Sequence, residues 1–142
     1  MKRYVVGFLF DGAGSVALIK KSKPAWQRGL LNGLGGHIED GESPATAMSR
    51  EFLEEGGVEI VPERWRYFAL LKGHDKEGPV EVWCFTCTRT ANLKQMTDEP
   101  VSWYNAFICF DPSVVPSLHW LVPMAMDPNS PQLVAVVDNV AR

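Results

Sequence analysis

The chain has 142 residues, 46% hydrophobic and 22% charged, with a net charge of −3; this length suits one domain, 1–142, with its own core. No basic stripe is present to make the several phosphate contacts that a nucleic-acid polymer demands, and no apolar run approaches the roughly 20 residues of a membrane span. Three cysteines, an odd number, argue against a disulfide scaffold and for a reducing, cytoplasmic setting.

The first residues, "MKRYVVGFLFDGAG", combine two basic residues with a short apolar run. The run enters a turn at Asp11–Gly14 without a small-residue cleavage site, so it reads as a strand and not as a leader. "RYVVGFLF" and "SVALIKK" form a hairpin around "DGAG". "SKPAWQRGLLNGLGG" reads as a glycine-punctuated loop. Ser43 and Pro44 then open a helix as N-cap and first-turn residue. It runs for roughly twelve residues to Gly56–Gly57, which suit a left-handed C-cap.

"RWRYFALLKG" and "PVEVWCFTCTR" are two strands joined by the polar loop "HDKEG". Cys84 and Cys87 have C-x-x-C spacing but lie three apart in a strand, on opposite faces, and cannot share a metal. "VSWYNAFICF" reads as a further strand, "LHWLVPMAM" as a short apolar helix limited or bent by Pro123, and "QLVAVVDNV" as a closing strand. Strands with interspersed helices give an α/β fold, a mixed sheet with helices on its faces.

The helix after Ser43 poses a problem. At 100° per residue, Ala45, Met48 and Phe52 share one arc, and Glu51, Glu54 and Glu55 fill the next. Like charges at this spacing repel, and Glu54 and Glu55 sit in the last turn, where the macrodipole disfavours them. Arg50, four residues before Glu54, offers one ion pair. Acidic helix faces are ordinarily solvated surface, but this one is bordered by Gly33, Gly35 and Gly36, which permit close backbone approach, and by Glu42. Clustered carboxylates, with a backbone carbonyl, suit a hard cation such as Mg²⁺ or Mn²⁺. Such an ion removes the repulsion and supplies the positive charge that a polyphosphate substrate needs.

The same residues match G-x5-E-x7-R-E-U-x-E-E-x-G-U, with U bulky and apolar: Gly36, Glu42, Arg50, Glu51, Phe52, Glu54, Glu55, Gly57 and Val58 fill all nine fixed positions within 23 residues. The chain thus resembles a MutT-like Nudix hydrolase. The resemblance implies an α/β/α sandwich with the box as loop–helix–loop, and hydrolysis of a nucleoside diphosphate linked to another group. It implies that Glu51, Glu54 and Glu55, with the Gly35 carbonyl, ligate Mg²⁺, that Arg50 orients the glutamates, and that Glu42 contributes from further out. The general base it implies is a box glutamate, Glu54 here, or a later one. Glu99 in "MTDEPVSW" is the first later candidate, with Glu77 and Glu81 behind it.

"LLNGLGG" is similar to the "WNGFGG" run of oxidised-purine nucleoside triphosphatases, which implies a base contact for Asn32 beside Gly36. The Trp-Pro-Asp-Asp run of those enzymes is replaced here by "VVPSLHW", without its aspartates. The marks of the coenzyme A, ADP-ribose and dinucleoside polyphosphate types are absent, and elimination favours a nucleoside triphosphate. Trp26 and Trp120 offer stacking surfaces, and Lys20 or Lys21 could reach phosphate, since alternation turns only one inward. His37, His74 and His119 have no ligand spacing. The expectation is a Mg²⁺-dependent pyrophosphohydrolase of small nucleotides, a monomer or homodimer. The alternatives are another X group (ADP-ribose, a nucleotide sugar, a cap) and a Nudix module that senses a nucleotide without cutting it.

Overall fold

Side chains alternate across a strand, and the first strand serves two cores at once. Val6, Phe8 and Phe10 enter one buried cluster, and Val5 and Leu9 enter the other. The computed structural model describes residues 1–136. Its elements are β1 (Lys2–Phe10), β2 (Ser15–Lys20), β3 (Leu31–Asn32), β4 (Leu34–His37), α1 (Pro44–Gly56), β5 (Arg66–Asp75), β6 (Gly78–Thr88), β7 (Val101–Asn105), α2 (Leu118–Met126) and β8 (Leu133–Val136). Short 3₁₀ turns occupy Ala25–Gln27, Pro62–Arg64 and Ala106–Phe110.

The sheet is mixed, in the order β3-β2-β1-β6-β5-β8. β1 runs parallel to β6 along its whole length. On its other edge it pairs antiparallel with β4 at Tyr4–Gly7 and meets β2 only at Phe10. β2 in turn carries β7. Helix α1 covers one face with Ala47, Met48 and Phe52, and α2 covers the other with Leu118, Leu121, Val122 and Ala125. The result is the expected α/β/α sandwich. Cys84 and Cys87 are buried in different clusters, on opposite faces as alternation requires.

Helix α1 begins and ends where its caps dictate. Ser43 Oγ accepts from the Thr46 N–H at 3.2 Å, Pro44 is the first helical residue, and Gly57 takes φ 69° with its N–H bonded to the Leu53 carbonyl. Phe52 is fully buried against Trp65, ring centroids 5.5 Å apart. Phe52→Ala therefore leaves a cavity under the box helix and should remove about 3–5 kcal/mol of stability. Thermal melting should show a fall in Tm of roughly 10 °C or more.

Three expectations are corrected. The end of "SKPAWQRGLLNGLGG" is not loop: Leu31–Asn32 form β3 on β2, and Leu34–His37 form β4, whose Gly35 and Gly36 lie inside the pairing to β1. "VSWYNAFICF" is a strand only to Asn105, where the Asn105 Oδ1 accepts from the Phe107 N–H at 2.9 Å and turns the chain into a 3₁₀ helix. "HDKEG" shrinks to a tight turn, because Asp75 Oδ1 accepts from the Glu77 N–H and Gly78 takes positive φ. Helix α2 continues through Pro123 to Met126. Of "QLVAVVDNV", Leu133–Val136 form β8 and the rest lies outside the described residues.

Candidate active site

Strand β4 leads into the segment 38–43 and then α1, so the loop–helix arrangement hangs on the edge of β1. Arg50, at the middle of α1, gathers the acids. Its Nε and Nη2 donate to both oxygens of Glu42 at 2.7 and 2.9 Å. Its Nη1 donates to Glu51 Oε1 at 2.9 Å and reaches Glu54 at 3.4 Å, while Nη2 also donates to the His37 carbonyl at 2.9 Å. Bidentate guanidinium–carboxylate geometry of this kind fixes orientation as well as charge.

The acids respond differently to their surroundings. Arg50 holds the Glu42 carboxyl below its ordinary value, against burial. Burial raises Glu51 despite Arg50 beside it. Burial also pushes Glu55 up to about 7, although its Oε1 accepts from the Gly35 N–H at 2.9 Å and Lys21 acts in the other direction. Glu54 is the open member, with its side chain 55% exposed against 14% for Glu51. Gly36 lies so close that a Cβ there would come 2.5 Å from Glu51 Oε1.

As they stand, no three acidic, His or Cys side chains among the described residues converge into a closed ligand set, and the Arg50 guanidinium lies between Glu42, Glu51 and Glu54. The donor chemistry nevertheless fits a hard divalent ion. Three carboxylates share one helix face, two of them desolvated, beside a backbone stripped of side chains at Gly35 and Gly36.

Those glycines border a cavity of about 420 Å³. Its apolar lining comes from Val6, Leu71, Val82, Val115 and Leu121, with Trp26 joining it. Its polar groups include Lys21, Lys23, Gln27, Asn32 and Ser117. Tyr4 and His37 also line it, their rings packed at 4.3 Å between centroids.

Asn32, Gly35, Gly36 and Trp26 therefore meet at one cavity beside Glu51 and Glu55. Two expected residues do not. Lys20 ends β2 and stays exposed; the inward lysine is Lys21, whose backbone bonds to Leu30 and Gly29 and whose Nζ lies 3.4 Å from Glu99. Trp120 is half-buried against the α2-side core, and its neighbour Leu121 takes the cavity-facing position. Glu99 is buried and held by the Ser22 N–H at 2.6 Å, the Ser22 hydroxyl at 3.0 Å and Lys21. Burial raises its carboxyl, but these donors outweigh burial and leave it below its ordinary value. Glu77 pairs with Lys2, and Glu81 with Arg3. Tyr4 and Gln27 carry no sequence signal that would have found them; Lys21 was half visible through strand alternation.

A mixed sheet between two helices, with a carboxylate-bearing loop–helix–loop beside a cavity, defines the class as an α/β/α sandwich with an acidic site at the edge of β1. The NUDIX domain model matches residues 1–122, and the chain belongs to the Nudix family as a hydrolase acting on phosphoric anhydrides. Nudix hydrolases generally use divalent metal ions and act on small nucleotides. Among solved structures, a MutT protein from Bacillus halodurans superposes with TM-score 0.79 at 18% identity, over 97% of this chain and 90% of that one. A MutT protein from Methanosarcina mazei Go1 gives 0.70 at 17%, over 86% and 90%. The NUDIX domain of Shewanella oneidensis NrtR, complexed with ADP ribose, gives 0.71 at 19%, over 85% and 83%. No functionally curated protein matches. No helix among the described residues is long and apolar enough to cross a membrane.

Proposed function

We propose that this chain, one Nudix domain over 1–142, is a Mg²⁺-dependent pyrophosphohydrolase that cleaves a nucleoside triphosphate to a nucleoside monophosphate and pyrophosphate. Mn²⁺ is the expected substitute, and the working form is a monomer or homodimer of the cytoplasm. The observation that carries this reading is the union of the Arg50-ordered glutamates with a cavity that, among the described residues, takes its charged wall from Lys21 and Lys23.

Glu51, Glu54 and Glu55, with the Gly35 carbonyl, would hold the ion, and Arg50 orients the first two. A divalent ion bound there would draw charge from the phosphate oxygens and lower the pKa of an attacking water. Lys21 and Lys23 face the polyphosphate, and the base enters between Trp26 and Asn32. Glu54, exposed and only loosely bonded, is free to accept the water's proton at its carboxylate. Glu99 is committed to Ser22 and Lys21; it fixes that lysine at the cavity and serves as a base only on release from those bonds. In excess EDTA, turnover should fall by at least about 100-fold and return with added Mg²⁺. Turnover that survives EDTA contradicts the reading.

The ADP ribose bound to the NrtR NUDIX domain favours a second reading, in which the scissile link joins a nucleoside diphosphate to a sugar. A hydrolysis panel of the four dNTPs, 8-oxo-dGTP, ADP-ribose, a nucleotide sugar and a cap analogue separates the two. Pyrophosphate release from a dNTP supports the first; cleavage confined to the others supports the second. Binding without product over hours supports a sensing module.

A further inference from the structure

We propose that Gln27 is a specificity-determining residue: it makes one wall of the cavity a hydrogen-bond donor edge, which selects a base that offers two adjacent acceptors. The proposal rests on the reading above that a nucleotide base enters this cavity.

The orientation of both amides follows from one fixed donor. A backbone N–H can only donate. The Gly33 N–H points at the Asn32 side chain at 2.8 Å, so the near atom is Oδ1 and the far one is Nδ2. Nδ2 faces Gln27 at 3.1 Å, so the Gln27 atom there must be Oε1. The free end of Gln27 is then Nε2, with two hydrogens that no acceptor among the described residues takes. Asn32 Nδ2 keeps one further hydrogen. Both residues line the cavity. Among the described residues, no Asp or Glu lines it to offer an acceptor. Tyr4, His37 and Ser117 can each donate or accept, so the bias toward donors stands.

Such a wall reads acceptor pairs. Guanine presents N7 beside O6, and cytosine presents N3 beside O2. Adenine and thymine alternate donor and acceptor along their edges. Guanine oxidised at C8 carries a hydrogen on N7 and sets a donor against the wall. Facing donors leave both groups unpaired, a mismatch that lowers selectivity constants by about tenfold to a hundredfold.

The test compares wild type with Gln27→Glu and Gln27→Met. Glu keeps an oxygen for Asn32 Nδ2 and turns the free end into an acceptor; Met removes both functions. Two measurements are made for each protein. The first is kcat/KM with Mg²⁺ on dCTP, dGTP, dATP, dTTP and 8-oxo-dGTP. The second is the affinity for the corresponding monophosphates, read from tryptophan fluorescence. Wild type should favour the cytosine or the guanine compound over the other three by about tenfold or more, and which of the two leads identifies the base. Gln27→Glu should shift the dGTP to 8-oxo-dGTP ratio toward the oxidised base by at least about tenfold, mainly through KM. Gln27→Met should flatten the order. Equal affinities in wild type, or an order unchanged in a folded variant of either kind, overturn the proposal. Affinities in the expected order without turnover would sink the hydrolase reading and leave the donor wall intact.

Discussion

Glu54→Gln should lower kcat by about 10³-fold and leave Tm within a few degrees. The stability half of this result follows from exposure. The Glu54 side chain is more than half in solvent, and its protein bonds are two long contacts of 3.4 Å from Arg50 Nη1. An exposed pair of that kind contributes about 0–1 kcal/mol. The kinetic half follows from charge. Gln keeps the shape but can neither hold a hard cation as an anion nor take a proton from water. The loss should fall on kcat with KM little changed, since the interaction removed belongs to the transition state. Magnesium titration then separates the two roles. Activity that climbs with excess Mg²⁺ marks Glu54 as a ligand; activity indifferent to Mg²⁺ marks it as the base. A fall of less than about tenfold would reduce Glu54 to a rim charge and move the burden to Glu51 and Glu55.

The helix that bears this residue was legible because its boundaries are local chemistry. Ser43, Pro44 and Gly57 each act within one turn, and the spacing of Phe52 against Glu51, Glu54 and Glu55 sets which side is buried. The approach of Gly35 to Glu55 was legible only as a permission, since glycine allows proximity without naming the partner. Strands β3 and β4 were hidden for the same reason. Leu34, Gly35 and Gly36 have little intrinsic strand preference, and their pairing is imposed by β1. The choice between Lys20 and Lys21 turned on where β2 stops, and Glu99, far along the chain, decides it by drawing Lys21 inward. Gln27 reaches Asn32 because the 3₁₀ turn at Ala25–Gln27 carries it there, and a loop of mixed composition announces no such turn. Trp120 lies off the cavity wall because one position along a helix rotates a side chain by 100°, and Leu121 holds the cavity-facing place.

Gly35→Ala should damage stability and activity together, by roughly 2–4 kcal/mol and about 10²-fold in kcat. In β4, Gly35 stands opposite Val6 of the central strand. A Cβ at this position would run into the Val5 carbonyl oxygen and come 2.9 Å from the Val6 Cα. Both obstacles are backbone atoms of a strand paired on both edges, so neither can yield as a side chain would. The strain is relieved only if β4 peels away from β1. That movement takes the Gly35 N–H off Glu55 Oε1 and shifts Gly36, against which the Glu51 carboxylate lies. Gly41→Ala is the contrast. Gly41 has φ 80° and nothing within 4 Å of a new Cβ, so alanine there suffers only the left-handed backbone penalty of about 1–2 kcal/mol, and the carboxylates stay in place. Melting curves and kcat for the two variants therefore separate general glycine loss from loss of the β1–β4 contact. Similar kcat values in both would mean that the edge of β1 does not position the glutamates, and that α1 holds them through Arg50 alone.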